Sequence, residues 1–213
     1  MKKGLLLGAL LLIGTQAMAD QGQEKHNGII TNKFTVTGFK SVNNDFKDEK
    51  NRDGDLDGGY GLDYALMYNV TDRFRIGGET GFQQIKLGGQ TAKDIDDSVE
   101  GVKLGVIGEY DFYVNGVTRL YFTGSLGVMG GSTEKTQYTV NTTSGLKVDE
   151  QKTKIETNMY SKIGLGLDYN GFLVETGLEA VSFTYTGKIK GVKVVDEDGI
   201  TNTSVYVSLG YKF

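Results

Sequence analysis

The sequence predicts an all-β protein, with eight strands joined in an antiparallel, up-and-down β-barrel. Three observations lead to this prediction. Apolar residues recur at every second position in eight separate runs, which is the spacing of strands whose two faces differ. Tight turns alternate with long polar connections between those runs. Glycine accounts for 32 of the 213 residues, without proline and without a Gly-X-Y period, which excludes collagen and proline-rich disorder.

Residues 1–19 have the layout of a secretory signal peptide. Two lysines precede an apolar run over 4–13, and Ala17 and Ala19 supply the small-residue cleavage pattern. The apolar run is shorter than the ~20 residues that a membrane-spanning helix needs. We therefore expect export, with a signal peptide over 1–19, a periplasmic N-terminal tail over 20–30 and a barrel over 31–213.

The connections between the runs are of two kinds. The tight ones lie around 71–72, 115–117 and 170–171, and the last two contain the Asn-Gly pair of a hairpin turn. Since successive strands run in opposite directions, the four longer connections all lie at one end of the barrel. Membrane barrels show the same asymmetry, with short periplasmic turns and long extracellular loops. The long, polar connections are predicted over 41–58, 87–99, 133–155 and 187–202.

Side-chain volume decides which face of the strands points outward. The interior of an eight-stranded barrel is only just wide enough for side chains to fill it. One face carries bulky Leu, Val, Ile, Tyr and Phe, so we predict that it contacts lipid, in a transmembrane barrel rather than a soluble, lipocalin-like one. The other face carries small residues and charges of both signs, including Asp111 and Lys212. The predicted lumen charge network consists of Asp63, Arg75, Glu79, Lys103, Glu109, Arg119, Lys162, Asp168, Glu175 and Glu179.

The last strand ends in alternating apolar residues and a terminal phenylalanine, namely Val205, Val207, Leu209, Tyr211 and Phe213. With the signal peptide and the eight runs, the chain resembles the small eight-stranded outer-membrane barrels of Gram-negative bacteria. This group holds the OmpX/Ail, OmpA transmembrane-domain and opacity-type porin-like proteins, and the resemblance covers about residues 31–213. It implies that the five terminal residues are a signal for the barrel assembly machinery. It also implies insertion into the cell outer membrane, in contact with its lipid and lipopolysaccharide.

The resemblance implies a location without fixing an activity. We expect a non-enzymatic, monomeric barrel that displays extracellular loops for surface interaction or adhesion to a host or cell-surface ligand, and that supports envelope integrity. The alternative is a narrow, porin-like channel for small solutes, and a lipid-modifying barrel enzyme is a more remote one. We predict no catalytic residue and no cofactor, because the one histidine, His26, lies in the polar tail. The excess of acidic residues argues against nucleic-acid binding.

Three of the long connections carry further patterns. Asp53, Asp55 and Asp57 match the first half of a calcium loop. The twelfth position is Tyr64 rather than Glu, so we interpret the segment as a solvated acidic loop and predict no metal site beyond a weak Ca²⁺ candidate. The segment over 133–155 predicts a projecting hairpin centred on Thr143. A similar turn is predicted at Asp198-Gly199, and exposed strand edges of such hairpins can accept a partner strand.

Overall fold

The computed structural model describes residues 30–44, 55–88, 98–141, 147–189 and 192–213, and every regular element among them is a β-strand. No helix in these ranges is long and apolar enough to cross a membrane. The strands are β1 (Ile30–Asn44), β2 (Asp55–Asn69), β3 (Phe74–Gly88), β4 (Ser98–Asn115), β5 (Thr118–Asn141), β6 (Lys147–Tyr169), β7 (Phe172–Ile189) and β8 (Val192–Lys212).

The eight strands form one closed barrel in chain order. Each strand pairs antiparallel with the next, and β8 returns to β1 with partners from Lys33↔Lys212 to Asn44↔Asn202. Closure leaves the paired region of the sheet without an edge, so its backbone groups are hydrogen-bonded within the barrel wall. The predicted fold class and strand number are confirmed.

The two faces of each strand differ as the side-chain volumes predict. In β4, Val102, Leu104 and Val106 are 59–64% exposed on the outer wall. The intervening Lys103 and the nearby Glu109 are each 1% exposed and point into the lumen. The three tight turns lie where they are predicted, and we call this side of the barrel the short-turn end. The opposite side is called the hairpin end.

Three tyrosines fill the lumen opposite glycines of the barrel wall. Tyr121, Tyr160 and Tyr206 are at most 1% exposed. A glycine across the strands makes room for each ring, because an added Cβ would collide with it. The Cβ would lie 2.2 Å from Cζ of Tyr121 if placed at Gly166, 2.4 Å from the Tyr160 hydroxyl at Gly105 and 2.1 Å from the Tyr206 hydroxyl at Gly164.

The hairpin end is more regular than predicted. β5 and β6 pair as far as Asn141↔Lys147, and β7 and β8 as far as Ile189↔Val192, so most of 133–155 and 187–202 is strand. We call the β5–β6 hairpin the first hairpin. Because Val140 pairs with Val148, its centre lies one residue beyond the predicted Thr143. These segments keep the β-branched residues of a strand, which outweigh their polarity.

The predicted turn at Asp198-Gly199 is wrong. β8 runs through both residues, and the register shifts there, with Ile200 opposite Phe183 and Asp198 opposite Thr184. Gly199 is the extra residue of a β-bulge. A glycine between strand-forming residues is compatible with a bulge as well as with a turn, so its presence alone does not end a strand.

The tyrosine–glycine packing predicts that Gly166→Ala destabilises the barrel. The new methyl group would displace the Tyr121 ring, whose neighbours leave it no room, at a cost of about 1–3 kcal/mol. The free energy of unfolding in urea, measured in lipid bilayers, tests this. The matched control is Gly124→Ala, where the nearest atom to the new Cβ lies 3.7 Å away. Equal stability of the two variants would contradict the packing.

Candidate functional site

The ten charged residues of the predicted network all point into the lumen. Nine of them are at most 7% exposed, and the Arg119 side chain, near the short-turn end, is 19% exposed. Contacts between them, and with Lys33, Asp111 and Lys212, divide the charged side chains into two clusters. The structure therefore brings the predicted residues together in two groups rather than one.

Glu109 is the centre of the cluster nearer the short-turn end, which we call the lower cluster. Its carboxylate accepts hydrogen bonds from Lys33 Nζ at 2.9 Å, Lys212 Nζ at 2.8 Å and Arg75 Nε at 3.1 Å. Three cations from β1, β8 and β3 thus converge on one acidic side chain of β4. Glu109 ties together strands on opposite sides of the barrel.

The remaining contacts complete a neutral group. Lys33 also binds Glu175, whose Oε1 accepts a further hydrogen bond of 2.7 Å from the Tyr121 hydroxyl. Asp111 pairs with Arg75 and, at 3.0 Å, with Arg119. The lower cluster consists of four cations and four carboxylates: Lys33, Arg75, Arg119 and Lys212 with Glu109, Asp111, Asp168 and Glu175.

The upper cluster lies towards the hairpin end and consists of Asp63, Glu79, Lys103, Lys162 and Glu179. Lys103 Nζ lies 2.8 Å from Asp63 Oδ1 and 3.4 Å from Glu179 Oε1, and Lys162 Nζ lies 3.6 Å from Asp63 Oδ2. Glu79 instead accepts a hydrogen bond of 2.9 Å from the Tyr160 hydroxyl. Among the side chains that the structure describes, no cation lies within 4.0 Å of the Glu79 carboxylate. The upper cluster therefore has three carboxylates and two cations.

Apolar side chains close the lumen beyond the upper cluster. On β4 and β7, Val99 and Val181 lie nearer the hairpin end than the charged Lys103 and Glu179. Together with Tyr160 and Tyr206, these side chains form one buried group, each at most 9% exposed. We call this group the apolar plug, and its other members are Phe39, Ile85, Met129, Ile155 and Phe183.

Sequence reasoning missed the plug and Lys33. Ile85 and Val99 occupy inward positions of their strands, so counting apolar residues on the inward face near the long connections would have found the plug. Lys33 lies on the inward face of the first strand, where the weaker alternation obscured it. The tyrosines were missed because small and ionised residues dominate the inward face.

The other predicted site residues lie outside the lumen or outside the described ranges. Asp53 lies outside the described residues. Asp55 and Asp57 belong to the beginning of β2, where the structure gives the backbone alone. Within the described residues, no group of three or more acidic or histidine side chains could hold a metal ion.

The terminal apolar residues line the outer wall of β8. Val205, Val207 and Leu209 are 40–59% exposed there. The Tyr211 and Phe213 rings stack with centroids 6.2 Å apart. The Phe213 backbone exchanges two hydrogen bonds, of 2.8 and 2.9 Å, with Asn32 of β1, so the last residue of the chain takes part in barrel closure.

No family model and no curated protein matches the sequence. Among solved structures, the chain is similar to Neisserial surface protein A, at 13% identity and a TM-score of 0.43, over 86% of this chain and 97% of that one. It is similar to outer membrane protein AlkL, at 14% identity and 0.47, over 91% and 94%. It is also similar to Ail, the attachment invasion locus protein of Yersinia pestis, at 16% identity and 0.38, over 88% and 99%.

These likenesses concern the fold, which the strand order and closure define on their own. The chain is an all-β, closed, eight-stranded antiparallel barrel. The predicted resemblance to the small eight-stranded outer-membrane barrels is confirmed at that level.

The unequal surroundings of two buried carboxylates predict unequal effects of the same substitution. Glu109→Gln removes the charge that three cations share, and we expect it to destabilise the barrel by about 3–5 kcal/mol. Glu79→Gln keeps an acceptor for the Tyr160 hydroxyl and breaks no ion pair, so its cost should stay within about 1 kcal/mol.

The measurement is the free energy of unfolding in urea of both variants in the same lipid bilayers. Each variant serves as the other's control, because the chemical change and the burial are matched. A Glu79→Gln variant as unstable as Glu109→Gln would contradict the division into a neutral lower cluster and a cation-poor upper one.

Proposed function

We propose that this chain spans the bacterial outer membrane as a monomeric barrel, with its bulky face in lipid, and presents the sheet at its hairpin end to the outside for binding. In this proposal the protein is not an enzyme. The lumen network makes the barrel rigid and thereby supports envelope integrity. One observation carries the membrane location, namely the inverted distribution of polar and apolar side chains.

The outer wall is apolar while the interior is charged. Ile163 and Leu104 are 68% and 64% exposed on the wall, whereas Lys103 and Glu109 are each 1% exposed inside. In water this arrangement would leave apolar surface hydrated and ionised groups desolvated, which are both unfavourable. A hydrocarbon environment makes the outer wall favourable. Exposed aromatic residues border the wall at the short-turn end, as in the girdles of membrane barrels, and include Tyr68, Phe74, Tyr110, Phe112, Tyr169 and Phe172.

The filled lumen supports a structural role in preference to conduction. Tyr121 occupies the lumen near the short-turn end, and the apolar plug, which includes Tyr160 and Tyr206, fills it towards the hairpin end. Of the charged lumen residues, all but Glu79 are held by ion pairs, and all but Arg119 are almost completely buried. An eight-stranded barrel has no spare width for a wide aqueous path beside such side chains.

The hairpin end supports a binding role. β4 pairs with β5 only up to Gly131, and β1 pairs with β8 only up to Asn202. Among the described residues, therefore, no strand pairs with the β4-facing edge of β5 over 132–141 or with the β1-facing edge of β8 over 192–200. Unpaired strand edges of this length offer backbone donors and acceptors to an extended segment of a ligand, which can add to the sheet as a further strand.

The terminal strand supports assembly in this membrane. Val205, Val207 and Leu209 face outward from the strand that closes the barrel against β1. We propose that they form, with Tyr211 and Phe213, the signal for the barrel assembly machinery. The barrel closes within one chain, which supports a monomer.

Membrane insertion without conduction is the first expected result. We expect the protein in the outer-membrane fraction, with a gel mobility that changes on boiling, because a folded barrel resists detergent until it is heated. In planar bilayers we expect no single-channel steps, with a general porin as the positive control. Extraction without detergent would contradict the membrane location, and stable steps would favour the channel alternative.

Loss of binding on shortening the first hairpin is the second expected result. Deleting residues 136–149 leaves Lys135 and Thr153 paired, with residues 150–152 as the turn, and removes most of the exposed β5 edge. We expect bacteria carrying this variant to bind less to host-cell monolayers and immobilised matrix than wild type. Arg73→Ala, in a short turn at the other end, is the control. Unchanged binding by the deletion variant would contradict a binding role for this edge.

A further inference from the structure

Two lysines lie in one row across three strands on the outer wall. Lys40 of β1 pairs with Gly58 of β2, and Gly58 pairs with Lys86 of β3. Each lysine follows an inward residue, Phe39 at 8% and Ile85 at 0% exposure, so both lysine side chains point outward. Two strand spacings separate their Cα atoms, roughly 10 Å, which two lysine side chains can bridge around one small anion.

Gly58, which lies between the two lysines, leaves the space between their side chains empty. Gly58 has no side chain, and an added Cβ would lie 2.4 Å from the Phe39 carbonyl oxygen, so the close strand pairing there excludes a larger residue. An open cleft of about 300 Å³ lies at this point. Its lining residues are Phe39, Lys40, Gly58, Gly59, Tyr60 and Lys86.

On the short-turn side of the two lysines, the cleft adjoins the apolar outer wall. Tyr60, 48% exposed, lies two residues along β2 towards the short-turn end. Its partner across the strands is Gly38, where an added Cβ would have no atom within 4 Å. A cationic notch is thus continuous with an apolar gap beside an aromatic ring. This combination matches a molecule with an anionic head and a hydrocarbon chain.

The lysines carry charge that nearby described groups do not neutralise. Among the side chains that the structure describes, neither Lys40 nor Lys86 makes an ion pair. The neighbouring Glu100 accepts a hydrogen bond of 3.1 Å from the Gln84 amide instead. By contrast, Lys154, also partly exposed near the hairpin end, binds Glu156 at 2.6 Å.

We propose that Lys40 and Lys86 bind a phosphate group of a phosphorylated glycolipid in the outer leaflet, with one acyl chain lying against Tyr60 in the gap at Gly38. This site rests on the proposed outer-membrane location, which puts the hairpin end at that leaflet. The outward direction of both lysines and the adjoining apolar gap favour a lipid phosphate over a free one. The lipid would then be held at one fixed place on the circumference of the barrel.

The test measures binding of diphosphoryl lipid A to the full-length mature protein, folded in detergent micelles, by native mass spectrometry. The variants are the double substitution Lys40→Gln/Lys86→Gln, the single substitution Gly38→Leu and the control Lys154→Gln. All substituted positions are on the outer wall, and folding of each variant is checked by the change in gel mobility on boiling.

We expect the double variant to bind lipid A about 10- to 30-fold more weakly, since each lysine near a charged lipid surface contributes about 1 kcal/mol. Lys154→Gln should bind as the wild type does. Gly38→Leu should weaken binding without changing any charge, and removing the phosphates from lipid A should abolish the difference between wild type and the double variant.

Three results would overturn the site. These are unchanged affinity in the double variant, an equal loss in Lys154→Gln, and displacement of lipid A by millimolar inorganic phosphate, which would indicate a site for free anions. Because the barrel is held in detergent here, such a result counts against the site alone. Failure of the membrane location would show in the fractionation experiment instead.

Discussion

The structure depends on one geometric constraint: a closed barrel of eight strands has a lumen that its own side chains must fill. Along each strand, every second side chain points into that narrow space and the others point to the outer wall. Because most of the bulky apolar residues lie outside, the lumen receives small, aromatic and ionised ones, together with the apolar plug towards the hairpin end. The apolar wall and the paired charges follow from this division, and the proposed membrane location rests on it.

Filling the lumen requires agreement in both volume and charge. The tyrosine rings fit because glycines lie opposite them, as Gly166 does for Tyr121. The charges fit because Glu109 is shared by three cations, so that each cation brought out of water finds a partner. The upper cluster is less completely paired and adjoins the apolar plug. Ion pairs therefore fix the lumen side chains near the short turns, and apolar packing fixes those near the hairpins.

Much of this architecture could be predicted from the sequence because period-2 alternation is a local signal. It gave the strand number, the tight turns and the inward direction of residues such as Glu109 and Lys162. Lys33 was obscured by the weaker alternation of β1, and the partners of each charge could not be predicted, since they depend on the register between strands that are distant in the chain. The bulge at Gly199 was missed because turn-forming residues mark a break in alternation without telling a bulge from a turn. No motif encodes a ligand for the proposed binding edges, and the Lys40–Lys86 row is visible only once the register is known.

The most direct test of the inverted barrel is the environment of Leu66, Val106 and Leu165, which are 47–59% exposed on the outer wall. The chain has no cysteine, so single cysteines can be placed at each position and labelled with a fluorophore after folding into bilayers. A membrane-spanning barrel predicts quenching by lipids with brominated acyl chains and protection from a water-soluble maleimide, whereas Arg73→Cys in a short turn should react with the maleimide. Reaction of all three wall positions with the maleimide, without quenching by the lipid, would contradict an apolar wall in hydrocarbon.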